Sequence, residues 1–199
     1  MARPRQVSDE TILEIARSCF IEQGPSVSTT VIADRLGISQ AALFKRFGTK
    51  QELMFAALLP PEKPAWIQAV EQGPDDRDAL LQLQEIAQLI SDFFDTLIPR
   101  IATLKASGCD MRLLLHSRYE VPPPLRGVAA LTSWLAALQA QGRIGPVDPP
   151  TTALMLFGAL QGRAFLSHIM GAPDTGELAR YPTQLVENLW RGIAPKEEP

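Results

Sequence analysis

Apolar positions along this chain recur at steps of three and four and almost nowhere alternate, a pattern that predicts helices and no sheet. Ile12, Ala16, Cys19 and Phe20 form the first apolar stripe. Ser8 opens it as a cap, Asp9 and Glu10 suit the positive end of the helix dipole, and Gly24-Pro25 stops it. Ile32 and Leu36 mark the inner face of a second, short helix over residues 28–36, after which Gly37-Ile38 supplies a tight turn. Ser39 then caps a third helix, residues 39–47, on which Leu43 and Phe47 share one face. Thr49 opens a fourth at Lys50, with Leu53, Met54, Ala57 and Leu58 inward until Pro60-Pro61 ends it.

Pro60, Pro61 and Pro64 mark a joint. Asp75 or Asp76 is expected to start a long helix, because Leu83, Ile86, Ile90, Phe93, Leu97, Ile101 and Leu104 keep the helical interval as far as Gly108. Pro99 falls inside this run and is expected to kink or end it near residues 95–98. A shorter helix, Met111 to Tyr119, is broken by Val121-Pro122-Pro123-Pro124. Another, Leu125 to Gln141, carries Leu131, Trp134, Leu135 and Leu138. Thr151 or Thr152 begins a helix running to Gly171, apolar on more than one face, and a last helix spans about Tyr181 to Ile193. The expected fold is all-α.

The third helix carries the candidate chemistry. With Leu43 and Phe47 turned inward, Gln40, Ala41, Lys45 and Arg46 are left to project as an amide, a small apolar contact and two cations. Such a set can meet base edges and phosphates in a DNA groove. It is also ordinary on the wet face of an amphipathic helix, and what separates the readings is the run before it. A helix, a short turn with Gly and a second capped helix is the helix-turn-helix arrangement, whose second helix enters the major groove. Lys50, at a helix N-terminus, can hold a phosphate together with backbone amides. Arg3 and Arg5 either reach a minor groove or flanking phosphates, or form a frayed, solvated terminus.

Residues 12–58 resemble the DNA-binding head of the tetracycline-repressor (TetR) family of bacterial transcription regulators. The matching pieces are Ile12-Leu13 with Phe20 and Gly24, then Ile32-Ala33-Asp34-Arg35-Leu36-Gly37-Ile38-Ser39, then Leu43-Phe44-Lys45-Arg46-Phe47, and Thr49-Lys50-Gln51-Glu52-Leu53. The resemblance implies that Thr29 and Thr30 approach the DNA backbone, that Gln40 and Ala41 face bases, and that Phe44, Lys45, Arg46 and Lys50 lie along phosphates or base edges. Phe44 stands where the family usually has Tyr, so a phosphate hydrogen bond from that ring is lost. Ala41-Ala42 replaces a common Gly-Thr pair. The implied organisation is a helix-turn-helix head over residues 1–50, a linking helix from about 50 to 59, and a helical ligand-binding and dimerisation body over 60–199. Effector binding to that body would release the DNA.

Charge and composition add modestly to this. The chain of 199 residues carries a net charge of -3, yet residues 1–50 hold seven Lys or Arg against five Asp or Glu, so a slightly basic head precedes an acidic body. No apolar run reaches membrane-span length and no signal-peptide core follows Met1, so a cytoplasmic protein is expected. Cys19 and Cys109 are expected to stay reduced. No catalytic, metal or cofactor pattern is present, and His116 and His168 read as core or pocket histidines among apolar neighbours.

Two further expectations concern the body. Phe93, Phe94, Leu97, Met111, His116, Tyr119, Trp134 and Phe165 are candidate lining for a small, largely apolar effector, although each also suits a plain core. The last two helices are expected to pair with their copies across a two-fold axis through Leu154, Gly158, Gly162, Leu185 and Leu189, the alternative being an intramolecular core. A dimer reads an inverted repeat, since one short helix sees only a few base pairs. The competing functional reading is a helical small-molecule-binding or enzymatic protein whose head does not bind DNA.

Overall fold

A computed structural model of the chain describes residues 7–171 and 177–193. Arg3 and Arg5 therefore lie outside the described residues. All regular structure among the described residues is helical: α1 (Asp9–Gln23), α2 (Thr29–Leu36), α3 (Gln40–Phe47), α4 (Lys50–Leu58), α5 (Ala65–Glu71), α6 (Ala79–Ala106), α7 (Met111–Arg118), α8 (Pro123–Ala140), α9 (Pro149–His168) and α10 (Glu177–Ile193). The chain divides into two compact units. The first comprises the residues up to Leu59 together with Pro99–Leu114, and the second comprises Pro60–Ile98 and the chain from Leu115 onward.

The first four helices, all in the first unit, are each opened by a hydroxyl side chain. Ser8 accepts from the Thr11 N–H, Ser28 from Thr30, Ser39 from Ala42 and Thr49 from Glu52. Each cap satisfies an amide that the helix leaves unpaired and contributes about 1 kcal/mol. Gly37 ends α2 at φ 65°, in the left-handed region that glycine enters without penalty, and its N–H reaches the Ala33 and Asp34 carbonyls. That turn brings α3 back against α2, and Ile12, Phe20, Ile32, Leu43, Leu53 and Leu58 close the core. Leu104 and Leu114, distant in sequence, belong to the same core. Arg17 lies along it, its Nε donating to the Ala57 carbonyl at 2.9 Å.

In the second unit α8 packs against α5 and α9, and α9 against α10. Trp66, Ile67, Leu83, Ile90, Phe94, Leu131, Trp134, Leu135, Leu156, Leu160 and Val186 are among its buried apolar residues. Several boundaries depart from the periodic reading. The helix α5 was not anticipated: it sits among three prolines and is only seven residues long, too short for its stripe of Trp66, Ile67 and Val70 to show a period. The start of α6 is set by Asp78, whose carboxylate accepts from the Leu81 N–H at 2.9 Å, and not by Asp75 or Asp76. Asp75 is instead engaged by the backbone N–H and guanidinium of Arg77.

Pro99 does not end α6, which runs through it for 28 residues. The ring removes one backbone donor, and the Thr103 hydroxyl bonds the Pro99 carbonyl at 3.0 Å one turn later. Pro99 is also where the helix passes from the second unit to the first. The helices α8 and α9 begin on prolines, Pro123 and Pro149, because the first turn has no use for the missing N–H. Asp148 caps α9 by accepting from Thr151 at 2.9 Å, so the helix opens ahead of Thr151, and it stops at His168, short of Gly171. The Gly145 N–H bonds the Ile193 carbonyl at 2.6 Å, fastening the end of α10 to the turn before α9.

Candidate functional site

The α2–turn–α3 unit presents α3 with one side sunk and the other open. Leu43 is fully buried and Phe47 partly so, while Gln40, Ala41, Lys45 and Arg46 are exposed and Phe44 and Lys50 are half-buried. Thr30 is exposed; Thr29 is buried at 5 % exposure. The Gln40 amide donates from Nε2 to the Thr29 hydroxyl, so two of the residues expected to face DNA are joined across the turn. This bond holds the first residue of α3 to the first residue of α2. Only the Gln40 carbonyl oxygen and its second N–H remain for a base.

Arg46 departs from the simple expectation of a free phosphate ligand. Its Nη1 donates to the Val7 carbonyl and pairs with Asp9 at 3.1 Å, because the last turn of α3 reaches the start of α1. Lys45 and Lys50 form no ion pair with a carboxylate among the described residues. They are the cations of this face most available to an outside anion. Arg35, on the outer side of α2, is held by Glu22 at 3.0 Å.

The candidate effector residues separate. Phe94, Leu97 and Trp134 are buried in the second unit and Phe93 is half-buried there. Two residues that sequence reasoning did not single out join them: Trp66, hidden in the proline-rich joint, and Phe157, read only as part of a broadly apolar helix. Trp66 lies 5.9 Å from Phe93 and 5.7 Å from Phe157, Phe93 lies 5.6 Å from Phe94, and Phe94 meets Phe157 edge-on at 4.9 Å. Gly127 receives the edge of Trp66 so closely that a Cβ there would fall 2.6 Å from Cζ2 and nearer still to Cη2. The Trp66 Nε1–H is buried with no acceptor. An unsatisfied donor of this kind costs about 1–3 kcal/mol.

The remaining candidates stand elsewhere. Met111 packs against the core of the first unit. Tyr119 donates to the Pro60 carbonyl at 2.6 Å, and burial pushes its phenol up to about 12. Phe165 is 46 % exposed. The expectation of histidines among apolar neighbours is corrected: His116 is exposed on α7, and His168 is exposed with Nε2 3.2 Å from Asp95, which also pairs with buried Arg163. The polar ends of these side chains are set by pairings far apart in sequence, which an apolar period does not report.

The expectation of a helix buried on several sides is met in part by α9. Leu156, Phe157, Leu160 and Ala164 are buried, whereas Leu154, Met155, Phe165, Leu166 and Ile169 form an exposed apolar stripe that includes Gly158. Gly162, Leu185 and Leu189 are half-buried. Both cysteines are free, Cys19 in the core. Among the described residues no helix is long and apolar enough to cross a membrane, and no group of three His, Cys, Asp or Glu could hold a metal ion.

Comparison with known proteins agrees with this geometry. Residues 12–57 match the family model of bacterial regulatory proteins of the tetR family. Over the whole chain the fold is similar to that of a TetR-family transcriptional regulator from Mesorhizobium loti, at 23 % identity and a TM-score of 0.71, with 94 % of this chain and 96 % of that one aligned. It is similar also to a TetR transcriptional regulator from Streptomyces coelicolor (20 % identity, TM-score 0.61, 96 % and 100 % covered) and to SmeT in complex with triclosan (19 % identity, TM-score 0.67, 96 % and 98 % covered). No curated protein matches the chain significantly.

Proposed function

We propose that this chain, which carries a tetR-family DNA-binding head on a TetR-like all-helical fold, is a ligand-responsive transcriptional regulator, in the simplest case a repressor, working in the cytoplasm. It binds an inverted-repeat operator as a homodimer and leaves it when a small, largely apolar molecule occupies the body. The observation that carries this reading is the Gly37 turn holding α3 with Leu43 buried and Gln40, Ala41 and Lys45 open. Residues 1–50 serve as the head, the helix from about 50 to 59 as the link, and residues 60–199 as the body.

In this reading Gln40 and Ala41 face base edges, while Thr30, Phe44, Lys45 and Lys50 line the backbone, with Thr29 steadying Gln40 through its hydroxyl. Arg46 joins the phosphate contacts by exchanging Asp9 for a phosphate oxygen. The exposed apolar stripe on α9 supports dimerisation, because a run that includes Leu154, Leu166 and Ile169 is costly to leave in water. The buried aromatic residues of the second unit support an apolar effector, as does the triclosan held by the neighbour SmeT. Coupling requires that the effector prefer the arrangement in which the two heads no longer fit the operator.

The Arg46–Asp9 pair favours the competing reading, a small-molecule-binding or enzymatic body whose head leaves DNA alone. One experiment separates the two. Affinity for inverted-repeat DNA taken from beside the coding region is expected to fall steeply with salt as counterions are released. Binding that is absent at low salt, or indifferent to the repeat, would sink the regulator reading.

A further inference from the structure

Trp66 is only 2 % exposed, yet its Nε1–H has no acceptor. The rings it meets, Phe93 and Phe157, offer none, and Phe94 behind them offers none either. The indole cannot swing away to find one, because Gly127 admits its far edge only by lacking a side chain. Of the four rings, Trp66, Phe94 and Phe157 are buried and Phe93 is half-buried, so the cluster is approached from outside at Phe93, 5.9 Å from the indole. A cluster of mutually tilted rings is thereby joined to a single unpartnered donor.

We propose that the effector is an uncharged aromatic molecule carrying an oxygen acceptor, such as a ketone, ether or phenol, and that Trp66 selects it by donating Nε1–H to that oxygen. This rests on the effector-responsive reading given above. The ring cluster favours an aromatic body through offset and edge-on contacts, and its unpartnered polar group is a donor, which suits an uncharged acceptor and gives a cation no hydrogen bond. The lone donor then distinguishes among aromatic molecules of the same size. A hydrocarbon leaves the indole unsatisfied, whereas an oxygen in the right place completes it.

The test uses the full chain labelled with nitrogen-15 tryptophan, which gives three indole signals, from Trp66, Trp134 and Trp190. The probes are 2-acetylnaphthalene and its near-isosteric hydrocarbon 2-isopropylnaphthalene. Trp66→Phe assigns the Trp66 signal; if that variant does not fold, Trp134→Phe and Trp190→Phe assign it by elimination. The ketone is expected to bind about five- to tenfold tighter than the hydrocarbon, the worth of one neutral hydrogen bond, and to move the Trp66 indole proton downfield. In Trp66→Phe that preference shrinks to near unity. Equal binding of both probes with an unmoved Trp66 signal overturns the role of Trp66 and leaves the apolar effector reading standing. If neither probe binds up to its solubility limit, both are overturned.

Discussion

Gly127 and Tyr119 show how much one position decides in this protein. Replacing Gly127 by Ala places a methyl inside contact distance of the Trp66 ring, and neither α5 nor α8 has room to yield, since Trp66, Leu131 and Trp134 are all buried. Gly127→Ala is expected to destabilise the chain by about 1–3 kcal/mol through overpacking, read from the urea midpoint. Tyr119 makes its statement through pH. Its phenol rises from 10.0 to about 12, mainly because burial penalises the anion. Below pH 10 it is neutral in both folded and unfolded chains. Between 10 and 12 only the unfolded chain ionises there, so stability falls as pH rises through that window and levels off beyond it. Tyr119→Phe is expected to flatten this alkaline slope in a series of denaturant melts; an unchanged slope would show that the phenol carries no such load.

At the scale of the element, α3 depends on its cap. Ser39 accepts from the Ala42 N–H at 3.1 Å, and an eight-residue helix has few other means of fixing its first turn. Ser39→Ala is expected to cost about 1 kcal/mol in urea unfolding and to weaken operator binding further, because the frayed turn carries Gln40 and Ala41. The helices α1 to α4 were legible in the sequence since each is opened by Ser or Thr and closely followed by Gly or Pro. Those of the second unit were legible only in their interiors. Pro123 reads as a breaker but serves, like Pro149, as a first-turn residue, Pro99 reads as a kink or an end but the helix continues through it, and α5 is too short to show its period.

The same limit applies to the site. The open face of α3 follows from counting positions around a helix, whereas the Gln40–Thr29 and Arg46–Asp9 pairings join residues 11 and 37 apart and depend on how helices are folded together. Trp66 was missed for a related reason: its partners are drawn from three other helices, α6, α8 and α9.

At the scale of the whole molecule, assembly is the property most open to attack. Leu166 is 55 % exposed on the α9 stripe, so a charge there disturbs no core of its own subunit. Leu166→Glu is expected to convert a dimer to a monomer by light scattering at micromolar concentration with helicity unchanged, and operator affinity falls with it. A wild-type protein already monomeric under those conditions would remove the basis for reading an inverted repeat.

All three tryptophans and both tyrosines, Tyr119 and Tyr181, belong to the second unit, while the first holds only phenylalanines among its aromatic residues. Tryptophan and tyrosine emission from this protein is therefore blind to its first unit. A melting curve followed by fluorescence and one followed by far-ultraviolet dichroism will superimpose if the units unfold together, and will part company if either gives way first.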